Sequence, residues 1–84
     1  MTFTLDGTPL TSDYDEVEDI LYLWVDGPQP AVTFETGDGH LVHLDPERRE
    51  VVGVTIVDYR RRWEGRGELT LDVPVVRQHV LQPA

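Results

Sequence analysis

The sequence predicts a mainly β protein built from a single antiparallel sheet. Turn-forming segments punctuate the chain at short intervals, as "DG" at 6–7, "DGP" at 26–28, "TGDG" at 36–39, "DPERRE" at 45–50 and "EGRG" at 64–67. The segments between them are short and rich in Val, Leu, Ile, Thr and aromatic residues. Such short connections favour hairpins, because βαβ crossovers need about a dozen residues or more. We therefore predict a β-meander of five to seven short strands, with the C-terminal tail as the one candidate for a short helix.

The predicted strands follow the apolar runs in chain order. The run "DILYLWV" is apolar on both faces, because Ile20, Tyr22 and Trp24 alternate with Leu21, Leu23 and Val25. A strand of this kind is expected at the centre of a sheet and covered on both sides. The predicted strands lie near residues 2–5, 9–14, 19–25, 31–35, 40–44, 51–59 and 68–73.

The segment "AVTFE" alternates between apolar and polar residues, which is typical of a half-exposed strand. Its alternation predicts that Val32 and Phe34 point inward. With the other strands, it gives a predicted core of Leu21, Tyr22, Leu23, Trp24, Val32, Phe34, Val42, Leu44, Val52, Val54 and Ile56.

The tail "DVPVVRQHVLQPA" is the candidate helix. Pro74 suits the first position of a helix, and a helix would place Val75, Val76, His79 and Val80 on one face. The pattern nevertheless leaves helix and strand both open for residues 74–82.

Length and composition indicate one domain, residues 1–84, without covalent or metal staples. Cysteine is absent, which excludes disulfides and thiolate metal sites and makes the cytosol the natural compartment. No apolar run approaches the ~20 residues that cross a bilayer, and "MTFTLDGTPL" lacks the features of a signal peptide. We expect a soluble, cytoplasmic protein with no cofactor and no membrane contact.

The net charge of −9 is unevenly distributed along the chain. Residues 1–47 carry eleven Asp or Glu and no Lys or Arg, whereas residues 48–84 carry seven Arg and five Asp or Glu. An acidic first half repels nucleic acid and anionic lipid. The charge therefore favours a basic ligand or partner over nucleic acid.

The acidic segment "DYDEVED" admits two interpretations, a cation site or a capped turn. Asp13, Asp15 and Asp19 are closely spaced carboxylates, of the kind that calcium takes as ligands. An EF-hand loop, however, needs a third Asp or Asn where Val17 stands, a glycine after it and a twelfth-position Glu. Asp15 as the cap of a short turn, with Glu18 three residues on, explains the same residues. We favour the capped turn.

The two histidines of "HLVH" are the other weak candidates for metal ligands. Their odd separation places His40 and His43 on opposite faces of a strand. We therefore expect ordinary strand histidines and no metal site.

The segment "YRRRWEGRG" is a candidate interface. Its arginines and aromatics would suit phosphate contact and base stacking in a basic protein. In this acidic chain we expect them to pair with the first half of the chain, within one subunit or across a subunit interface. The predicted interface residues are Arg60, Arg61, Arg62, Trp63 and Arg66.

The segments "YDEVEDILYLWV" and "LVHLDPERREVVGVTIVD" together resemble a bacterial family of small uncharacterised proteins, the DUF2283 family. The resemblance covers about residues 13–59 and rests on Tyr14, Asp15, Asp19, Leu21, Tyr22, Asp45, Gly53 and Ile56. It implies a small β-rich core, extended by an N-terminal hairpin and by a C-terminal strand or helix. No established activity comes with it, although some members look like the antitoxin half of toxin–antitoxin pairs.

Two functions follow as hypotheses. No nucleophile motif, zinc-protease motif or glycine-rich phosphate loop occurs, which favours a non-catalytic protein-binding module. One form of this hypothesis is a module that neutralises a partner protein, as an antitoxin does. The alternative is a small metal-dependent or hydrolase-like enzyme that uses Asp13, Asp15 and a histidine at a subunit seam. Because one short helix cannot cover both apolar faces of a central strand, we also expect a homodimer.

Overall fold

The computed structural model describes residues 2–64, 66–70 and 75–79. Within these residues the chain forms eight strands and one short helix, and the predicted mainly β, antiparallel fold is confirmed. The elements are β1 (Thr2–Leu5), β2 (Thr8–Asp15), β3 (Ile20–Trp24), β4 (Val32–Glu35), β5 (Leu41–Leu44), β6 (Val51–Val57), α1 (Tyr59–Arg62), β7 (Glu68–Thr70) and β8 (Val75–His79).

The eight strands form one antiparallel sheet that is curled into a half-barrel, in the order β4-β5-β6-β3-β2-β1-β8-β7. Short hairpins join β1 to β2 to β3, and β4 to β5 to β6. The order departs from a plain meander because β3 pairs with β6 and β1 pairs with β8. As a result β4 and β7 are the two edges of the sheet.

Two acidic turns have the same construction. The Asp15 carboxylate accepts hydrogen bonds from the backbone N–H groups of Val17 and Glu18, at 3.0 and 3.1 Å. The Asp45 carboxylate accepts two equivalent bonds, from the second and third residues that follow it, at 2.8 and 2.9 Å. The acidic segment "DYDEVED" therefore contains the capped turn that the sequence favours, and this turn joins β2 to β3.

The core fills the inner face of the half-barrel. Five of the predicted core residues are buried there, namely Leu21, Leu23, Val42, Val54 and Ile56. Leu44 is partly buried and packs on this cluster, whereas Tyr22, Trp24 and Val52 are half-buried. The core also contains residues that were not predicted, which come from the two ends of the chain and from α1: Phe3, Leu5, Tyr59, Leu69 and Val76.

The prediction was wrong for Val32 and Phe34, whose exposed fractions are 46% and 54%. Both residues lie on β4, which pairs with β5 along one side only. Their alternation marks the correct face, but no element of the described chain covers that face at the edge of the sheet.

For the C-terminal tail the sequence left helix and strand both open, and within the described residues the tail is a strand, because residues 75–79 form β8. Pro74 and residues 80–82, which the helix would include, lie outside the described residues. The short helix α1 occurs earlier, where the sequence predicted that the strand would continue to residue 59. Asp58, with a φ of 53°, ends β6 and turns the chain into α1.

Candidate functional site

The outer edge of β4 is the first candidate site. Val32, Thr33, Phe34 and Glu35 are all exposed. The Thr36 N–H donates to the His40 C=O at 2.7 Å, so residues 36 and 40 form a hydrogen-bonded pair at the end of the β4–β5 ladder. Because such pairs alternate along an antiparallel ladder, the N–H and C=O groups of Thr33 and Glu35 point away from β5. They are available to an added strand.

The inner face of this edge carries a shallow apolar groove of about 150 Å³. Val32 and Phe34 form one wall, and Leu44 and Pro46 continue the apolar surface. Asp45 and Arg49 border the same groove, so its rim carries one charge of each sign. The edge therefore presents both unpaired backbone groups and an exposed apolar surface.

A larger groove of about 500 Å³ lies on the outer face of the sheet. Tyr22 and Trp24 project into it from β3, and the loop at Gly27 and Pro28 closes one side. Its other wall comes from β2, where Thr11 lies opposite Trp24 and Asp13 opposite Tyr22. The groove thus combines two aromatic side chains with a carboxylate, and we name it the Tyr22–Trp24 groove.

The Trp24 side chain packs against the ring of His43. The two rings are stacked, with centroids 4.6 Å apart and planes within 14°. The imidazole Nδ1 is hydrogen-bonded to the Thr33 hydroxyl, and Nε2 to the Thr55 hydroxyl, both at 2.8 Å. Since a hydroxyl can donate or accept, both His43 nitrogens have a partner in the neutral and in the protonated ring.

His40 lies on the inner face and has a different environment. Its Nδ1 is 3.2 Å from the Val57 N–H, and its Nε2 is 3.2 Å from the indole N–H of Trp63. Both neighbours are donors, and a neutral imidazole has only one acceptor nitrogen, so the ring accepts one of these two hydrogen bonds. Protonation would remove that acceptor too and place an N–H against a donor on both sides. Burial and then the Arg62 charge lower the pKa of His40, and burial lowers the pKa of His43.

Asp19 connects the β2–β3 turn to α1. Its carboxylate accepts the Tyr14 hydroxyl at 2.7 Å and the Arg60 N–H at 2.8 Å. Its backbone C=O accepts the Tyr59 N–H at 3.1 Å. The Arg60 N–H and the Tyr14 hydroxyl both act to lower the pKa of Asp19. Asp19 therefore caps the helix from a distant turn.

The structure does not bring the predicted metal candidates together. Asp15 caps its own turn, Asp19 caps α1, and Asp13 stands in the Tyr22–Trp24 groove. His40 and His43 lie on opposite faces of the sheet, as predicted. Among the described residues no group of three or more His, Cys, Asp or Glu is placed to hold a metal ion.

Three of the predicted interface residues, Arg60, Arg61 and Arg62, lie in α1, and Trp63 and Arg66 follow it. Arg60 pairs with Glu64 at 3.2 Å, Arg61 pairs with Asp58 at 3.3 Å, and Arg62 reaches Asp38 of the acidic first half at 3.9 Å. The guanidinium groups of Arg62 and Arg66 each lie 5.7 Å from the centre of the Trp63 ring. Part of the expected pairing between the two halves is thus intramolecular, through Arg62.

Sequence reasoning did not identify the Tyr22–Trp24 groove as a site. The sequence did contain the information needed to find it. The capped turn predicts that Asp15 pairs with Ile20, and this pair fixes the register of β2 against β3. That register places Asp13 beside Tyr22.

The comparisons with known proteins give no relative. No protein-family model matches the chain, and no curated protein or solved structure matches it either. Within the described residues, no helix has the length and apolar character needed to span a membrane.

Proposed function

We propose that this protein is a non-catalytic protein-binding module whose binding element is the outer edge of β4. The observation that supports this most directly is the exposure of Val32 and Phe34 beside the outward-pointing backbone groups of Thr33 and Glu35. An added strand would gain backbone hydrogen bonds from the edge and apolar contact from the groove.

The other edge of the sheet is less suited to this role. In β7 the apolar residue, Leu69, is fully buried, and Glu68 is held in an ion pair with Arg77 at 2.7 Å. Natural sheets protect their edges with charges, prolines or very short strands. β4 has neither lysine nor arginine nor proline, and two of its four residues are exposed apolar side chains.

A second copy of the chain is the first partner that we propose for this edge. A two-fold antiparallel pair centred on Phe34 would place Thr33 of each copy opposite Glu35 of the other, and the two Phe34 rings side by side. The outward-pointing groups of Thr33 and Glu35 match in this register. A contact between two four-residue strands is small, so we expect weak, concentration-dependent dimers.

A basic protein is the second partner class. With a net charge of −9 and no Lys or Arg before Arg48, the module would attract a basic partner electrostatically. The resemblance to DUF2283 adds an antitoxin-like role, in which a bacterial, cytoplasmic module neutralises a small basic protein. That family membership stays a prediction.

The experiment is sedimentation equilibrium of the full chain from low micromolar to about 1 mM, for the wild type and two variants at one position. Glu35→Pro removes an outward-pointing N–H without removing a β4–β5 hydrogen bond. Glu35→Thr is the matched control, since it removes the charge and keeps the N–H. We expect dimers in the wild type and in Glu35→Thr, and a 9.6 kDa monomer in Glu35→Pro.

Two outcomes would count against this proposal. A wild type that stays at 9.6 kDa over the whole range would exclude the homodimer. If Glu35→Pro dimerises as well as the wild type does, the dimer contact must lie somewhere other than the β4 edge. A calorimetric titration with calcium, magnesium, manganese and zinc addresses the enzyme alternative, since tight binding lost in Asp15→Asn would favour a metal-dependent enzyme over the module.

A further inference from the structure

We propose that the Tyr22–Trp24 groove binds an arginine side chain presented by an exposed segment of another protein. This site is separate from the β4 edge, because it lies on the outer face of β2 and β3, two strands away from β5. The inference therefore does not depend on the proposed function.

The groove has a partner for the flat face of a guanidinium group and another for its N–H edge. Tyr22 and Trp24 are two residues apart on β3, so their rings project from the same face of the sheet. A guanidinium plane stacks on such rings, and indole is the strongest aromatic partner for a cation. Asp13, which is opposite Tyr22, supplies a carboxylate that can accept two parallel N–H bonds.

Three polar groups of the groove lack partners among the described residues. Neither the Asp13 carboxylate, nor the Tyr22 hydroxyl, nor the Trp24 indole N–H makes a hydrogen bond or ion pair within that part of the chain. The carboxylate and the hydroxyl can both accept from a cationic donor. In contrast, the other carboxylates considered as ligands, Asp15 and Asp19, already accept two hydrogen bonds each.

The groove is held in shape by its surroundings. Trp24 stacks on His43, and its backbone C=O accepts the Thr11 hydroxyl at 3.1 Å. Gln29 holds the loop that closes the groove, because its side-chain amide donates to the Val25 C=O at 2.5 Å. Because these contacts exist without ligand, little ordering remains to oppose binding.

The charge around the groove selects for a cation. No lining residue is basic, and residues 2–47, which include the whole groove, contain no Lys or Arg. A phosphate or a nucleic acid strand would meet the Asp13 carboxylate and a net negative first half. A lysine ammonium would also be attracted, but it cannot stack flat or bind the carboxylate through two N–H groups.

The test is a ¹H–¹⁵N NMR titration of the full chain with N-acetyl-L-arginine amide, and in parallel with N-acetyl-L-lysine amide. The chain has two tryptophans, so the Trp63 indole is an internal control for that of Trp24. We expect saturable shifts of the Trp24 indole with a dissociation constant of roughly 1–100 mM, as a single cation–π contact and ion pair would give. The lysine probe should bind roughly threefold more weakly or worse.

Two variants separate the site from general charge attraction. Asp13→Asn, at an exposed position, should weaken arginine binding about fivefold or more. Asp6→Asn removes the same charge in the turn between β1 and β2 and should change the affinity by less than about twofold. The proposal fails if Asp6→Asn weakens binding as much as Asp13→Asn, or if the Trp24 indole does not shift. It also fails if that indole shifts with protein concentration alone, because a second copy would then fill the groove.

Discussion

Trp24 and His43 stack face to face across an intervening strand, with ring centroids 4.6 Å apart. Trp24 lies on β3 and His43 on β5, and β6 runs between them. The residue of β6 that is opposite both of them is Gly53. Without a side chain at this position, the two rings can meet above the β6 backbone. The rigid wall of the Tyr22–Trp24 groove thus depends on one glycine.

The first prediction concerns that glycine. A Cβ at position 53 would lie 2.5 Å from Trp24 Cε3 and 2.9 Å from the Leu23 C=O, so Gly53→Ala must displace the indole and strain the backbone. We expect a loss of about 1–3 kcal/mol in the free energy of unfolding, measured by urea titration, and a changed near-ultraviolet dichroism spectrum.

The matched control is Gly37→Ala, where an added Cβ meets no atom within 4 Å. Its unfolding free energy should stay within about 0.5 kcal/mol of the wild type or rise slightly. Equal stability of the two variants would show that the stack does not need Gly53.

The second prediction is a loss of stability in mildly acidic solution. Burial lowers the pKa values of His40 and His43 below the ordinary 6.5. Near and below pH 6.5 these two histidines are therefore protonated more in the unfolded chain than in the folded chain. On lowering the pH from 7.5, the free energy of unfolding should therefore stay constant to about pH 7 and fall as the pH drops through 6.5, by at most about 1.4 kcal/mol per pH unit for each histidine.

A separate loss should begin at lower pH. Backbone hydrogen bonds lower the pKa values of Asp19 and Asp45 below 3.8, so their contribution is lost only as the pH falls below that value. Urea titrations between about pH 7.5 and pH 5 isolate the histidine effect. An unfolding free energy that is constant over this interval would contradict the prediction.

The third prediction concerns the buried amide of Gln78. The Tyr59 hydroxyl donates to Gln78 Oε1 at 2.5 Å, and the Gln78 amide N–H groups donate to the backbone oxygens of Trp63 and Arg66. Tyr59→Phe removes the hydrogen bond that the amide oxygen accepts, and should cost about 1–3 kcal/mol of unfolding free energy.

Tyr22→Phe provides the control for the same chemical change. The Tyr22 hydroxyl has no hydrogen-bond partner among the described residues, and its side chain is half-buried on the outer face. Its loss should change the unfolding free energy by less than about 0.5 kcal/mol. A Tyr59→Phe variant as stable as Tyr22→Phe would mean that the Gln78 hydrogen bond contributes nothing.

The same amide explains why the tail was difficult to predict. In β8, Val76 and Gln78 point inward and Arg77 and His79 point outward, so a polar residue occupies an inward position. The alternation of apolar and polar residues that marks a strand is lost when one inward residue is Gln. The side-chain hydrogen-bond partners of Gln78 also lie 12 to 19 residues away in sequence. The pairing of Thr2 with His79 is equally remote from any local pattern.

Local patterns were sufficient where neighbouring segments pair. The hairpins and the capped turn at Asp15 follow from alternation and turn chemistry. Alternation did not indicate which apolar face of β3 is the inward one, so Tyr22 and Trp24 were predicted as core together with Leu21 and Leu23. Alternation also gave the correct face for Val32 and Phe34, but it cannot indicate whether another layer covers that face. Both candidate sites arise at such positions, where apolar side chains stay partly exposed because no element formed by the described residues covers them.

Amide hydrogen exchange at β4 tests the central proposal most directly. The Phe34 N–H points toward β5 and should be protected at every protein concentration, whereas the N–H groups of Thr33 and Glu35 point outward. If the edge binds a second copy, the Thr33 and Glu35 amides should exchange at least about tenfold more slowly near 1 mM than at low micromolar concentration. Rates for these two amides that are fast and identical at both concentrations would contradict the account.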